Sequence, residues 1–344
     1  MKTKRKKIIL LALVLLLCIS AFAGYRFYKY FYAPNINVGT ADFLYIPTGS
    51  DINDVFEILE RHNIVVDMST FRRTANFLKF NNVKPGRYKI AKRMSNKTFI
   101  NMLRSGNQSA VRVTFSGNIR SNEKIASVTA RYLEPDSASI VQALNDNDFI
   151  GKFGFDSRTI IGMFIPNSYE IYWNTNAYAF IERMYKEYEK FWNDRRKTKL
   201  QQTGLTQGEV SIIASIVAEE TNLISEMPAI AGVYINRIKS GMLLQADPTV
   251  KFATGDFSIR RILNKHISYD SPYNTYKYKG LPPSPICMPS IAAIDAVLNY
   301  EHHDYYYFCA KDDFSGKHVF AKTLAQHNQN ANAYRRALNS KNIR

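Results

Sequence analysis

The hydropathy of the chain opens on one apolar run, from Ile8 to about Tyr25, broken only by Ser20 and Gly24. At about 18 residues it is long enough to cross a bilayer with little tilt. Lys2, Lys4, Arg5, Lys6 and Lys7 precede it, and Tyr25, Tyr28, Tyr30 and Tyr32 follow it. That asymmetry predicts a cytoplasmic tail over 1–7, a single transmembrane helix over 8–28 with an aromatic belt on the far side, and export of the remainder. A cleaved signal peptide is the rival reading, because Ala21-Phe22-Ala23 has the small-x-small form of a cleavage site. The run exceeds a usual signal-peptide core, which favours an uncleaved anchor. Leu17 stands before Cys18 where a lipoprotein would carry a small residue.

Past the span, 33–39 reads as a linker, and short periodic segments follow. A strand is expected at 43–46, closed by the Pro47-Thr48-Gly49 turn, then a helix over 51–61 with Ile52, Val55, Phe56 and Leu59 on one face. Ser69 is the expected cap of a second helix bearing Phe71, Ala75, Leu78 and Phe80, and Pro85-Gly86 turns into a strand over 87–91. This strand-helix-helix-strand order resembles a LysM module, a small glycan-binding fold. A helix over 95–104 and an alternating strand over 110–115 complete the smaller module, placed at 40–116.

From 117 to 344 the pattern is mainly helical, with segments at 121–132, 137–145 and one long charged stretch at 177–195. A strongly apolar helix through Ile213 and Val217 follows, then a helix over 226–239 capped by Ser225 and ended by Ser240-Gly241. Gln245 to Thr249 reads as a loop. An aromatic strand over 305–310, a Ser315-Gly316 turn, a returning strand at 318–320 and a last helix over 323–338 close the chain. The fold class is therefore α+β: an N-terminal transmembrane helix, a small LysM-like α/β module and a larger mixed α+β domain.

One position breaks the apolar helix. Glu220 has Ile213, Ile216, Val217, Leu223 and Ile224 at its helical neighbour positions, whereas Glu219 also sees Ser215, Asn222 and Glu226. A buried carboxyl is pushed toward its protonated form and can act as a general acid. A paired structural glutamate accounts for the same pattern equally well.

Composition narrows the partners. Removing the five basic tail residues from a net charge of +17 leaves +12 on the exported part, which suits an anionic partner or simply solubility. Zinc-finger spacing, ribonucleoprotein aromatics and a recognition-helix signature are all missing, so an anionic envelope polymer fits better than nucleic acid. No Cys/His grouping has metal-ligand spacing, and no metal or cofactor is expected. Cys287 and Cys309 are a candidate pair in an oxidising compartment.

Downstream of Glu220, amides, an acid and tyrosines recur in Pro- and Gly-bounded segments, a set suited to sugar hydroxyls and faces. Ile213-Ala214-Ser215-Ile216-Val217-Ala218-Glu219-Glu220-Thr221, Val233-Tyr234-Ile235-Asn236-Arg237, Leu244-Gln245-Ala246-Asp247-Pro248-Thr249-Val250, Tyr273-Asn274-Thr275-Tyr276, Gly280-Leu281-Pro282-Pro283, His318-Val319-Phe320 and Leu324-Ala325-Gln326-His327-Asn328 together resemble the MltG-type (YceG-like) endolytic murein transglycosylases. The resemblance implies a single-pass enzyme of the inner (cytoplasmic) membrane with its catalytic domain outside the cytoplasm. It would cut nascent peptidoglycan glycan strands without water, leave 1,6-anhydro ends, terminate chain elongation and associate with peptidoglycan synthases. The family's E-x-E-T motif puts the catalytic glutamate on Glu220 and its first glutamate on Ala218. The family's EGYLFPDTY falls on 161–169, where Ile161 and Asn167 replace two acids. Substrate contacts are expected from Glu226, Asn236, Arg237, Gln245, Asp247, Thr249, Tyr273, Asn274, Thr275 and Tyr276, with Glu226 supporting Glu220 or a helix N-terminus. A lysozyme-like hydrolase using Asp247 or Glu226 as a second carboxylate, and a non-catalytic peptidoglycan-binding scaffold, are the alternatives.

Overall fold

The structure, a computed structural model, describes residues 2–37, 42–117, 119–259 and 261–341. It is mixed α+β and mostly helical, and its described strands form small two-stranded sheets. Two compact units divide the chain, the first comprising Met1–Arg112, Tyr132–Glu134 and Glu170–Asn176, the second the rest. The start of the smaller module expected at residue 40 lies outside the described residues.

The first unit holds α1 (Lys2–Phe31), β1 (Phe43–Ile46), α2 (Ile52–Arg61), α3 (Met68–Phe77), β2 (Gly86–Lys89) and α4 (Asn96–Ser105). The apolar part of α1 is bare of protein contact and long enough to cross a membrane. Its end is not followed by a free linker over 33–37, contrary to the expectation, whose last two residues, 38 and 39, lie outside the described residues. Phe31 packs edge-on against Phe77 at 5.0 Å, and Pro34 and Ile36 form bridges with Ser95 and Val65. Between them Asn35 is buried, its amide donating to Thr70 Oγ1 (3.2 Å), Asn96 Oδ1 (2.7 Å) and the Asp67 carbonyl (3.0 Å). With the Asp67 N–H donating to Asn35 Oδ1 at 2.8 Å, four hydrogen bonds make that burial tolerable. β1 and β2 pair antiparallel, Phe43 opposite Lys89, and put Leu44, Ile46 and Tyr88 into one core with Leu59, Phe71 and Phe99. The second helix starts earlier than expected, because Asp67 rather than Ser69 accepts the Thr70 N–H at 3.1 Å. A carboxylate caps at least as well as a hydroxyl, and Ser69 donates to it instead.

The residues of β3 (Val111–Thr114) and of β4 (Ser168–Ile171) are divided between the units, and the second unit runs through α5 (Asn122–Thr129), α6 (Ser137–Leu144), α7 (Asn147–Ile150), α8 (Ala177–Phe191), α9 (Asp194–Thr203) and α10 (Gln207–Glu220). It ends with α11 (Met227–Lys239), α12 (Asp247–Thr254), α13 (Asn264–Ile267), α14 (Ile291–Leu298), β5 (Tyr307–Ala310), β6 (His318–Ala321) and α15 (Leu324–Ser340). The long helix expected at 177–195 is two helices, because Asn193 turns extended and caps α9 through the Arg196 N–H. The expected loop at 245–249 likewise gives way to α12, with Asp247 in its first turn and Pro248 where its missing N–H costs nothing. α10 is the hub, packed on α14, α11 and α12. Gly232 lets α11 pass close to the 301–303 segment: a Cβ there would sit 2.4 Å from the Glu301 carbonyl oxygen. Cys287 and Cys309 are both free thiols.

Candidate active site

α10 stops at Glu220, where Thr221 turns extended and its hydroxyl accepts the Leu223 N–H at 3.0 Å. Leu223 and Ile224 therefore do not continue the helical stripe, and Ile224 is 65% exposed. The burial expected from them comes from other elements. Tyr234 on α11 donates its hydroxyl to Glu220 Oε1 at 2.6 Å. Burial pushes the Glu220 carboxyl up to about 7, against the Tyr234 hydrogen bond, which favours the charged form; the negative charge of Asp247 adds to the rise. Glu220 nonetheless keeps a face on a cavity, so it is desolvated yet reachable. Its neighbour Glu219 differs: both its oxygens take Arg120 Nη2, at 2.7 and 2.8 Å. One helix end thus presents an ion-paired carboxylate and a carboxyl poised to hold a proton.

The cavity beside Glu220 has a volume of about 390 Å³. Of the residues expected to contact substrate, Arg237, Gln245, Asp247 and Tyr276 line it. Arg237 is buried and spends its donors on the carbonyls of Tyr306 (2.6 Å), Leu243 and Leu244 (both 3.0 Å) and on Gln245 Oε1 (3.2 Å). It holds the rim of the cavity together. Tyr276 donates to Asp247 Oδ1 at 2.5 Å, and burial with that carboxylate raises the Tyr276 hydroxyl far above its ordinary range.

The other expected contacts are structural in position. Asn236 donates to the carbonyls of His303 (2.7 Å) and Tyr305 (3.1 Å), and Asn274 to those of Ile267 (2.8 Å) and Tyr269 (2.7 Å). Thr249 and Thr275 share a buried hydroxyl contact of 2.8 Å that fixes the loop before α12. Tyr273 pairs with Ser284 (2.7 Å) and lines a separate cleft with Arg120 and Phe252. Glu226 neither touches Glu220 nor caps α11; it takes the backbone N–H and Nδ1 of His318 at 2.9 and 3.0 Å. Asn274 and Thr275 satisfy backbone groups of irregular segments, while Asn236 does so from within α11.

The chain matches the YceG-like family over residues 44–333, most of its length. It belongs to the YceG-like family. Among its relatives is a Bacillus subtilis (strain 168) protein named endolytic murein transglycosylase, 28% identical over 86% of this chain and 85% of its own. A Streptococcus pneumoniae (strain D39) protein of the same name is 26% identical, and there the match spans 83% of this chain but 57% of the pneumococcal one. The crystal structure of a YceG-like protein from Listeria monocytogenes superposes with a TM-score of 0.55 at 26% identity, covering 83% of this chain and 98% of that one.

In this YceG-like chain several cavity residues carried no expectation. Tyr234 lies three residues before Arg237 on the same helix face, so helical spacing alone pairs the two. His318, Tyr307, Phe308 and His327 reach the cavity from the β5–β6 hairpin and α15, about ninety or more residues after Glu220. Only folding brings them there. Ile161 is buried and Asn167 serves its own loop, bonding the Ser168 N–H at 2.8 Å; neither lines the cavity.

Proposed function

We propose that this chain is an endolytic murein transglycosylase, a lyase that cleaves the N-acetylmuramic acid to N-acetylglucosamine bond of peptidoglycan strands. The observation that carries the reading is Glu220: a carboxyl raised to about 7 by burial, held by Tyr234 and open to a cavity rimmed by polar groups. Protonated Glu220 donates to the glycosidic oxygen as positive charge develops on the muramyl ring. Tyr234 occupies Oε1, which leaves Oε2 to deliver the proton. The resulting carboxylate then takes the C6 hydroxyl proton while that oxygen closes on C1, giving a 1,6-anhydro end and returning Glu220 to its protonated state. The neutral starting carboxyl and the intramolecular nucleophile remove the need for a second carboxylate to activate water. Asp247, held by Tyr276, acts through its charge, keeping Glu220 protonated near neutral pH.

In the same reading α1 is a membrane anchor with its N-terminus in the cytoplasm, and the second unit works outside the membrane, on nascent strands, terminating their elongation beside a synthase. The β1-α2-α3-β2 module is a LysM-like glycan holder, a role supported by its element order. The test uses the purified full chain in detergent with peptidoglycan strands and mass spectrometry of the products. Anhydro ends, one water lighter than reducing ends, are expected from the wild type and none from Glu220→Gln. Reducing ends would make it a hydrolase; equal release by both proteins would leave a binding scaffold.

A further inference from the structure

We infer that His318 contacts the glycan in the Glu220 cavity and that Glu226 is its positioning residue, an inference that rests on the cavity being the glycan site. Glu226 stands at the cap position of α11 but makes no cap; both its oxygens go to His318, Oε1 to the backbone N–H at 2.9 Å and Oε2 to Nδ1 at 3.0 Å. The two side chains are 12% and 15% exposed, so this is an enclosed pair rather than a surface contact. A carboxylate only accepts, which requires the hydrogen on Nδ1. In the neutral ring the lone pair is then on Nε2, and among the described residues Nε2 makes no hydrogen bond.

His318 lines the same cavity as Glu220. It packs edge-to-face on Phe308 at 5.3 Å, and Phe308 packs edge-to-face on Tyr234 at 6.0 Å, the same tyrosine that donates to Glu220. Two aromatic side chains, Phe308 and Tyr234, therefore link the oriented imidazole to the catalytic carboxyl. Securing the hairpin alone needs only the bond to the His318 backbone; using the second oxygen to set the ring leaves a directed acceptor in the cavity wall. Sugars offer hydroxyl and acetamide N–H donors, and such an acceptor recognises one of them. A carboxylate that fixes a histidine in this way is the usual means of selecting one tautomer.

The experiment uses the full chain in detergent carrying Glu220→Gln, so that strands bind without turnover. Long-range proton–nitrogen spectra of its six histidines, with the His318 signal assigned from its loss in His318→Gln, should show Nδ1 protonated and Nε2 bare. Saturating glycan strands should move the Nε2 resonance, and Glu226→Gln should mix the tautomers. His318→Phe, which keeps the packing on Phe308, should weaken strand binding about tenfold, the loss of one directed hydrogen bond; His318→Gln, whose amide oxygen reaches the Nε2 position, should recover part of it. The inference is overturned if strands bind the Glu220→Gln protein yet leave Nε2 unmoved, or if His318→Phe binds equally well. If the Phe variant does not fold, the resonance shift decides. A Glu220→Gln protein that binds no strand overturns the inference together with the glycan reading of the cavity, and wild-type product analysis separates that outcome from loss of the catalytic assignment.

Discussion

Replacing Glu220 by Gln should abolish cleavage and make the protein more stable, and the second effect has a pH signature. The folded state holds the Glu220 proton up to about 7 instead of the ordinary 4.5. Between those values the folded protein is protonated where the unfolded chain is not, so stability falls as pH rises through the window. At about 1.36 kcal/mol per pH unit the full cost is ~3 kcal/mol. Glu220 keeps a face on the cavity, and solvent screening reduces the figure to about 2. Glutamine has the same shape, stays neutral at every pH and can still accept the Tyr234 hydroxyl. The variant should thus match the wild type at pH 4, gain progressively to pH 7, and hold an advantage of roughly 4–8 °C in melting temperature above it. Thermal melts of both full-length proteins at one-unit pH intervals, followed by tryptophan fluorescence, measure the difference curve. Buried Trp192 reports on the second unit, which contains Glu220. A difference that is flat with pH, or largest at pH 4, would refute the claim that desolvation holds Glu220 protonated.

Tyr234→Phe removes the bond that favours the Glu220 carboxylate, so the alkaline limb of the rate profile should move upward by about one pH unit from its wild-type position near 7; a limb that stays or moves down contradicts the geometry. Gly232→Ala, ordinarily stabilising in a helix, should here destabilise by about 1–3 kcal/mol in denaturant titrations, because the new Cβ meets the Glu301 carbonyl oxygen at 2.4 Å. Arg237→Lys keeps the charge but loses the fork that serves three carbonyls, and should lower the unfolding free energy in denaturant titrations by about 2 kcal/mol and depress cleavage. Asn35→Ala strips partners from Asp67, Thr70 and Asn96, and amide exchange at Asp67 should quicken more than tenfold.

How much of this was legible in the residues depends on what held each element. Apolar periodicity located β1, α2, β2 and α4 to within a residue or two, because each buries one face in a single local core, while α3 ends at Phe77, short of the expected Leu78 and Phe80. It failed at 33–37, where Asn35 looks like loop chemistry and is instead the centre of a buried hydrogen-bond network: polarity in a sequence does not say whether a partner awaits. It failed again at α14, where periodicity marks no helix. That helix is apolar on most sides because α10 and α11 cover it, so it shows no contrast between faces. At the site, Glu220 was legible as an acid in an apolar helix, but two of the neighbours that helical spacing gives it are misplaced. Leu223 and Ile224 lie past the end of α10, and the groups that set its protonation, Tyr234 and Asp247, are tertiary neighbours.

That misplacement points to how the site is built. Glu220 is the last helical residue, held by Tyr234 of α11 and left open to the cavity. The extended Thr221 creates that opening, and its hydroxyl bond to the Leu223 N–H keeps the chain from coiling another turn. Glu219, one residue earlier and about 100° around the helix, points to Arg120 instead and stays out of the cavity. The same terminus therefore sorts two adjacent and chemically identical side chains into a structural ion pair and a proton donor. The sorting depends on Arg120 and Tyr234 lying on different sides of α10, which is a property of the packing around the helix rather than of the Glu-Glu-Thr sequence within it.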